Sequence, residues 1–224
     1  MFERYAIFYC PTGELAQLGA AWLGWDSAEG ASIAHPDCAP LDVAALTKRP
    51  RKYGLHGTLK APFYLSDDST LSDVQRTART FAAQQAPVPI GALALRHENG
   101  FIGLRPEAPQ DALRTFGADI VRRFDPHRAP LRDADITRRR KSRLSPQQDA
   151  QMLEWGYPFI FDDFHFHLTL TGRVTPDLAR DTIAALSPIL TPSVPDPFII
   201  DAITIVGQDA DGMFHQIQSY PLTG

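Results

Sequence analysis

Residues 56–63 read HGTLKAPF, and residues 164–173 read FHFHLTLTGR. In an extended chain successive side chains point to opposite faces. His56, Thr58 and Lys60 are therefore expected on one face, with Gly57, Leu59 and Ala61 on the other. The second stretch alternates in the same way, with His165, His167, Thr169, Thr171 and Arg173 against Phe166, Leu168, Leu170 and Gly172. Both contain His-x-Thr-Leu. Seven histidines and 25 Ser or Thr among 224 residues give about 0.8 His-x-Ser/Thr by chance, so two occurrences alone carry little weight. Their context carries more, because each opens the same order of strand, helix and hairpin, with Asn99-Gly100 and Asp211-Gly212 at the hairpin tips. The two histidines are 111 residues apart and the two tip glycines 112.

This repeat of architecture predicts an α+β fold of two pseudo-symmetric lobes, each of antiparallel-rich sheet with outer helices, facing one central cleft. The lobe of the first motif is expected at roughly 1–125 and that of the second at roughly 126–224, with elements free to exchange between them. Around the motifs, residues 4–10 read as a strand and 13–25 as a helix with Leu15, Leu18 and Trp22 on one side. Residues 27–52 read as a long connection with one short helix, in the position of a lid. Ser72 with Gln75 predicts a capping box opening a helix to about Gln85. Ser145-Pro146-Gln147-Gln148 predicts a second box, opening a helix to about Trp155, and Thr175-Pro176 opens another.

Composition bounds the function. The apolar fraction of 44% fits a folded protein. A net charge of −4 argues against a chain that tracks long nucleic acid, yet leaves a small phosphorylated ligand open. Cys10 and Cys38 lack the spacing of a disulfide framework or a zinc site. The start, MFERYAIFYCPTGEL, has no basic segment followed by an apolar core, and no apolar run reaches membrane-spanning length, so a cytoplasmic location is expected.

Two such strands meeting at a cleft suit displacement at phosphorus, which needs a base on the attacking oxygen and an acid on the leaving oxygen. Histidine serves either role near neutrality. A threonine two residues on can donate to a non-bridging phosphoryl oxygen. The chain here resembles the 2H phosphoesterases, named for paired His-x-Thr/Ser motifs on two pseudo-symmetric lobes. RYAIFYCP, YGLHGTLKAPF, LSPQQDAQMLEWGYPF and FHFHLTLTGR further look like a DUF1045-like branch of uncharacterised proteins encoded beside phosphonate-degradation genes. The resemblance implies a metal-independent, cofactor-free phosphodiesterase with His56, Thr58, His167 and Thr169 as catalytic residues. It also implies a sugar phosphate substrate, such as a ribosyl 1,2-cyclic phosphate bearing a 5-phosphate.

Lys60 and Arg173, on the expected motif faces, are candidates to hold phosphate charge, and Lys141 and Arg143 of the run ITRRRKSR are candidates for a second phosphate. Tyr53, Trp155 and Tyr157 are placed to stack on a sugar or base, or to pack in the core. Three alternatives stand beside the main reading. His165 and His167 with Asp162 or Asp163 could ligate a metal. The basic run keeps RNA end-processing or ligation in view, and a sensor could bind a phosphate ligand without turnover. Which histidine is acid, which ring oxygen leaves and how many copies assemble are open at this level.

Overall fold

The computed structural model describes residues 2–224. In chain order the elements are β1 (Arg4–Tyr9), α1 (Gly13–Leu23), β2 (Trp25–Asp26), β3 (Ala31–Ser32), α2 (Val43–Thr47), β4 (Gly57–Phe63), α3 (Leu71–Ala82), β5 (Val88–Gly91) and β6 (Leu93–Glu98). They continue with β7 (Phe101–Pro106), α4 (Asp111–Phe124), α5 (Asp133–Arg140), α6 (Pro146–Trp155), β8 (Leu168–Thr169), α7 (Pro176–Leu190), β9 (Phe198–Ile200), β10 (Ala202–Gln208) and β11 (Phe214–Pro221). The fold is α+β, and its strand pairings are antiparallel.

Seven strands form the main sheet in the order β11-β10-β1-β4-β8-β7-β6. The two motif strands, β4 and β8, are therefore neighbours at its centre. They join two half-sheets through the single pair Gly57↔Leu168. The hairpin that follows the first motif, β6-β7, pairs with the strand of the second motif, while the C-terminal hairpin β10-β11 lies beside β1 and the first motif strand. Gly57 makes the junction possible, since a Cβ there would sit 2.3 Å from the Phe166 ring.

One face of the sheet carries the core, with Ile7, Leu59, Leu104, Leu168, Ile203 and Ile205 packed against Trp22, Ile120, Phe124 and Leu186 of the helices. Each such buried side chain contributes about 1.5–3 kcal/mol. The opposite face carries a smaller cluster of Ala6, Phe8, Cys10, Val206 and Phe214, covered by Tyr53. That second face is where the motif histidines lie.

Helix starts follow local chemistry, with one correction. Ser145 and Gln148 form the expected reciprocal box, and Pro146 takes the first helical position. For α3 the box lies two residues earlier than expected, at Thr70 and Asp73, and the helix ends at Ala82 rather than near Gln85. The Asp73 carboxylate accepts from both the amide and the hydroxyl of Thr70, which with Arg76 holds its pKa down to about 2, and an ionised carboxylate also suits the helix N-terminus. The 27–52 connection contains β3, which pairs with β2 just before it, and α2, whose Asp42 side chain accepts from the Ala45 amide.

Candidate active site

The register Gly57↔Leu168 fixes the geometry of the motifs. Leu168 is fully buried on the core face, so the flanking residues of both strands turn to the other face. Antiparallel pairing then sets Thr58 across from His167 and His56 across from Thr169. The four motif residues occupy the corners of one patch, with the two histidines on a diagonal.

Both imidazoles are held alike. His56 Nδ1 lies 3.0 Å from the carbonyl of Gly54, and His167 Nδ1 lies 2.7 Å from the carbonyl of His165. A carbonyl only accepts, so each Nδ1 carries the proton and each neutral ring is left with its lone pair on Nε2. Thr58 Oγ1 is 3.1 Å from His56 Nε2 and donates to it. Burial pushes the His56 pKa down to about 4, against the opposing pull of the Gly54 carbonyl, and the charge of His167 lowers it further. Burial also lowers His167, again opposed by its carbonyl partner, with Arg105 and His165 adding to the fall. Both rings are neutral at pH 7.

The surroundings of the two histidines differ. His56 stacks on Phe8 with ring centroids 4.0 Å apart and meets Tyr53 at 5.4 Å, while Tyr53 itself stacks on Phe214 at 4.8 Å. His167 meets Phe101 at 5.2 Å and lies beside a cation. The pairs Gly103↔Thr169 and Leu104↔Leu168 carry Arg105 to the position next to His167 on β7. Arg105 is only 6% exposed; its guanidinium sits 4.7 Å from the Phe101 ring centroid, and Glu98 approaches its Nε no closer than 3.5 Å. Sequence reasoning missed Arg105. The signal is the alternation Phe101, Gly103, Arg105, but only the exchange of hairpins between halves brings it to a motif strand.

Several expected contacts lie elsewhere. Lys60 does not share the face of His56 and Thr58. Between Phe8↔Thr58 and Ile7↔Lys60 the partner strand advances one residue while β4 advances two, and this bulge turns Lys60 to the core side. There its ammonium is 3.1 Å from both the Val121 carbonyl and Asp125 Oδ1. Burial lowers its pKa to about 8 despite the attraction of Asp125. In the second motif the alternation ends at Thr169, because the amides of Leu170 and Thr171 both reach the Ile102 carbonyl. Thr171 is consequently buried away from the motif patch, and its hydroxyl accepts from the Ile102 amide at 2.9 Å. Arg173 is exposed and lies against Gly100 at the β6-β7 turn. Lys141 and Arg143 are exposed beyond the end of α5. Tyr53 is brought to His56, whereas Tyr157 and Trp155 line a separate pocket with Lys60. The alternative metal set does not gather: His165 is exposed, Asp163 accepts from Gln148 at 2.8 Å, and no three His, Cys, Asp or Glu converge among the described residues. No helix among the described residues is long and apolar enough to cross a membrane.

Residues 58–215 match the family model described as Protein of unknown function (DUF1045). The chain is 31% identical to a protein of Janthinobacterium sp. (strain Marseille) named Ribose 1,5-bisphosphate phosphokinase PhnN, over 99% of this chain and 51% of the relative. It thus spans about half the length of that curated relative. Among solved structures, one titled as a phosphoesterase aligns over 100% of both chains at a TM-score of 0.45 and 13% identity. The LigT protein of E. coli, complexed with NADP+, aligns over 100% of this chain and 99% of its own at a TM-score of 0.44 and 13% identity.

Proposed function

We propose, for this chain that belongs to the DUF1045 family, a metal-independent phosphodiesterase activity that opens a small cyclic phosphodiester to a phosphomonoester. The observation that carries it is the pair of imidazoles locked alike through Nδ1, each presenting Nε2 to one patch and each across the strand junction from the other motif's threonine. A single base on a sheet would not need its twin.

In this reading His56, neutral in an apolar setting, accepts a proton from water at Nε2 as the water oxygen bonds to phosphorus. His167 is less enclosed and takes up a proton from solvent when the anionic substrate arrives. It then gives that proton from Nε2 to the ring oxygen as the P–O bond breaks. The proton taken by His56 returns to solvent, so the pair resets. Thr58 and Thr169 donate to the non-bridging oxygens, which requires Thr58 to leave His56 Nε2 when substrate binds, and the Arg105 guanidinium supports the developing charge.

For the substrate, the best-supported choice is a ribosyl 1,2-cyclic phosphate bearing a 5-phosphate, in phosphonate catabolism. Release of its C2 oxygen would yield ribose 1,5-bisphosphate, the compound in the name of the Janthinobacterium relative. The phosphokinase activity in that name is not carried over, because the chain spans only 51% of that protein.

Phosphorus NMR of EDTA-treated protein with a panel of cyclic phosphates tests the proposal. Conversion to monoester by the wild type, lost in both His56→Ala and His167→Ala, is expected. Turnover only with added metal refutes the mechanism, and no turnover of small cyclic phosphates alongside action on RNA ends replaces the substrate class.

A further inference from the structure

Beyond Thr58, where β4 leaves β8, a pocket opens along the strand between residues 60–64 and the segments 128–139 and 155–160. Arg4, Lys60, Arg128, Arg138 and Arg139 line it, and Asp135 is its one lining carboxylate. Asp125, just behind, serves two of these cations, with Lys60 at 3.1 Å and Arg128 at 2.9 Å. Asp135 holds Arg138 at 2.6 Å. Arg4 donates to the neutral Oε1 of Gln208, at 2.7 Å. Arg139 lies 4.9 Å from the Tyr157 ring centroid, and its buried Nε has no hydrogen-bond partner among the described residues.

Five cations thus meet two carboxylates in a chain whose net charge is −4. Two guanidinium groups lining the pocket, Arg4 and Arg139, form no ion pair among the described residues. Burying an unpaired cation beside a like charge is costly, and an anion in the pocket removes that cost. Arginine's planar fork fits phosphate oxygens in particular. The pocket also shares strand β4 with the motif patch. Lys60 is two residues past Thr58 on β4, with its side chain turned to the other face by the bulge. Gly156, the left-handed C-cap of α6, leaves room for Arg128, since a Cβ there would lie 2.7 Å from its Cδ.

We propose that this pocket is a second anion site, in which Arg139 and Arg4 bind a phosphate monoester at the far end of the substrate and so select substrates carrying two phosphates. The proposal rests on the phosphodiesterase reading for its link to turnover, but not for binding. It replaces Lys141 and Arg143, which are exposed, as the holders of a second phosphate.

Two measurements test it. Calorimetric titration of the full chain with ribose 5-phosphate, with ribose as the neutral control, is expected to show binding of the phosphate ester alone. Arg139→Ala and Arg4→Gln should each weaken that binding about tenfold or more, the scale of one charge-assisted contact, with Arg139→Lys intermediate. In kinetics, the wild-type preference in kcat/KM for ribosyl 1,2-cyclic phosphate with a 5-phosphate over the same compound without it should fall about tenfold or more in Arg139→Ala. Equal losses on both substrates, or ribose 5-phosphate binding unchanged in both variants, overturn the proposal. Should the wild type turn over neither substrate, the phosphodiesterase reading fails, and the titration still decides the pocket.

Discussion

Replacing His56 by glutamine should make the protein less sensitive to acid. The His56 ring is 9% exposed, stacked on Phe8, and its pKa falls from 6.5 to about 4 chiefly through burial. At pH 7 the ring is neutral in both folded and unfolded chains, so it adds no pH dependence there. As pH falls below 6.5 the unfolded chain takes a proton that the folded chain refuses until about 4, and stability is lost across that window. A difference of this size corresponds to about 3 kcal/mol lost between pH 7 and pH 4. The glutamine side chain of the variant cannot titrate, while every other group titrates in both proteins. Urea unfolding of wild type and His56→Gln at pH 7 and pH 4 therefore isolates the ring. The wild type should lose about 3 kcal/mol more than the variant over this interval. Parallel losses in the two proteins would refute the picture of a neutral histidine buried in an apolar setting.

Thr58→Val and Thr169→Val should each lower kcat by about 10²–10³ with little change in KM, the scale of one lost oxyanion donor; an effect on KM alone in steady-state kinetics would place the hydroxyls outside the chemistry. Arg105→Met removes a cation that lowers the His167 pKa, so NMR titration should find the His167 midpoint higher in the variant, and an unmoved midpoint would separate the two residues. Asp125→Ala strands buried Lys60 and Arg128 and should cost about 3–5 kcal/mol in denaturant unfolding, whereas Lys60→Met, which leaves Asp125 with Arg128, should change stability by less than about 2 kcal/mol. Gly57→Ala forces a methyl against Phe166 at the strand junction, and a loss of about 1–3 kcal/mol with reduced turnover is expected from unfolding and activity assays.

The sequence alone was enough for everything governed by a residue's near neighbours. Alternation placed His56 with Thr58 and His167 with Thr169 on one face, because two residues per repeat needs no distant partner. The Ser145 and Thr175 caps and the Asn99-Gly100 and Asp211-Gly212 turns are likewise settled within four residues, and each lies where the sequence predicts it. Even so, the capping box of α3 forms at Thr70 and Asp73 instead of at Ser72 and Gln75, so the local rule did not fix where that helix starts.

Tertiary structure decided what depends on residues far apart in the chain. The bulge opposite Ile7 moved Lys60 off the face of His56 and Thr58, and it is tolerated because Asp125 and the Val121 carbonyl, more than 60 residues away, receive the ammonium. Exchange of hairpins between the half-sheets set Arg105 beside His167, and the open edge of β4 gathered Arg4 with Arg139. The physical reason is the same in each case. Whether a charge can stand at a position depends on its counter-charge and burial, and those are fixed only when distant segments pack together.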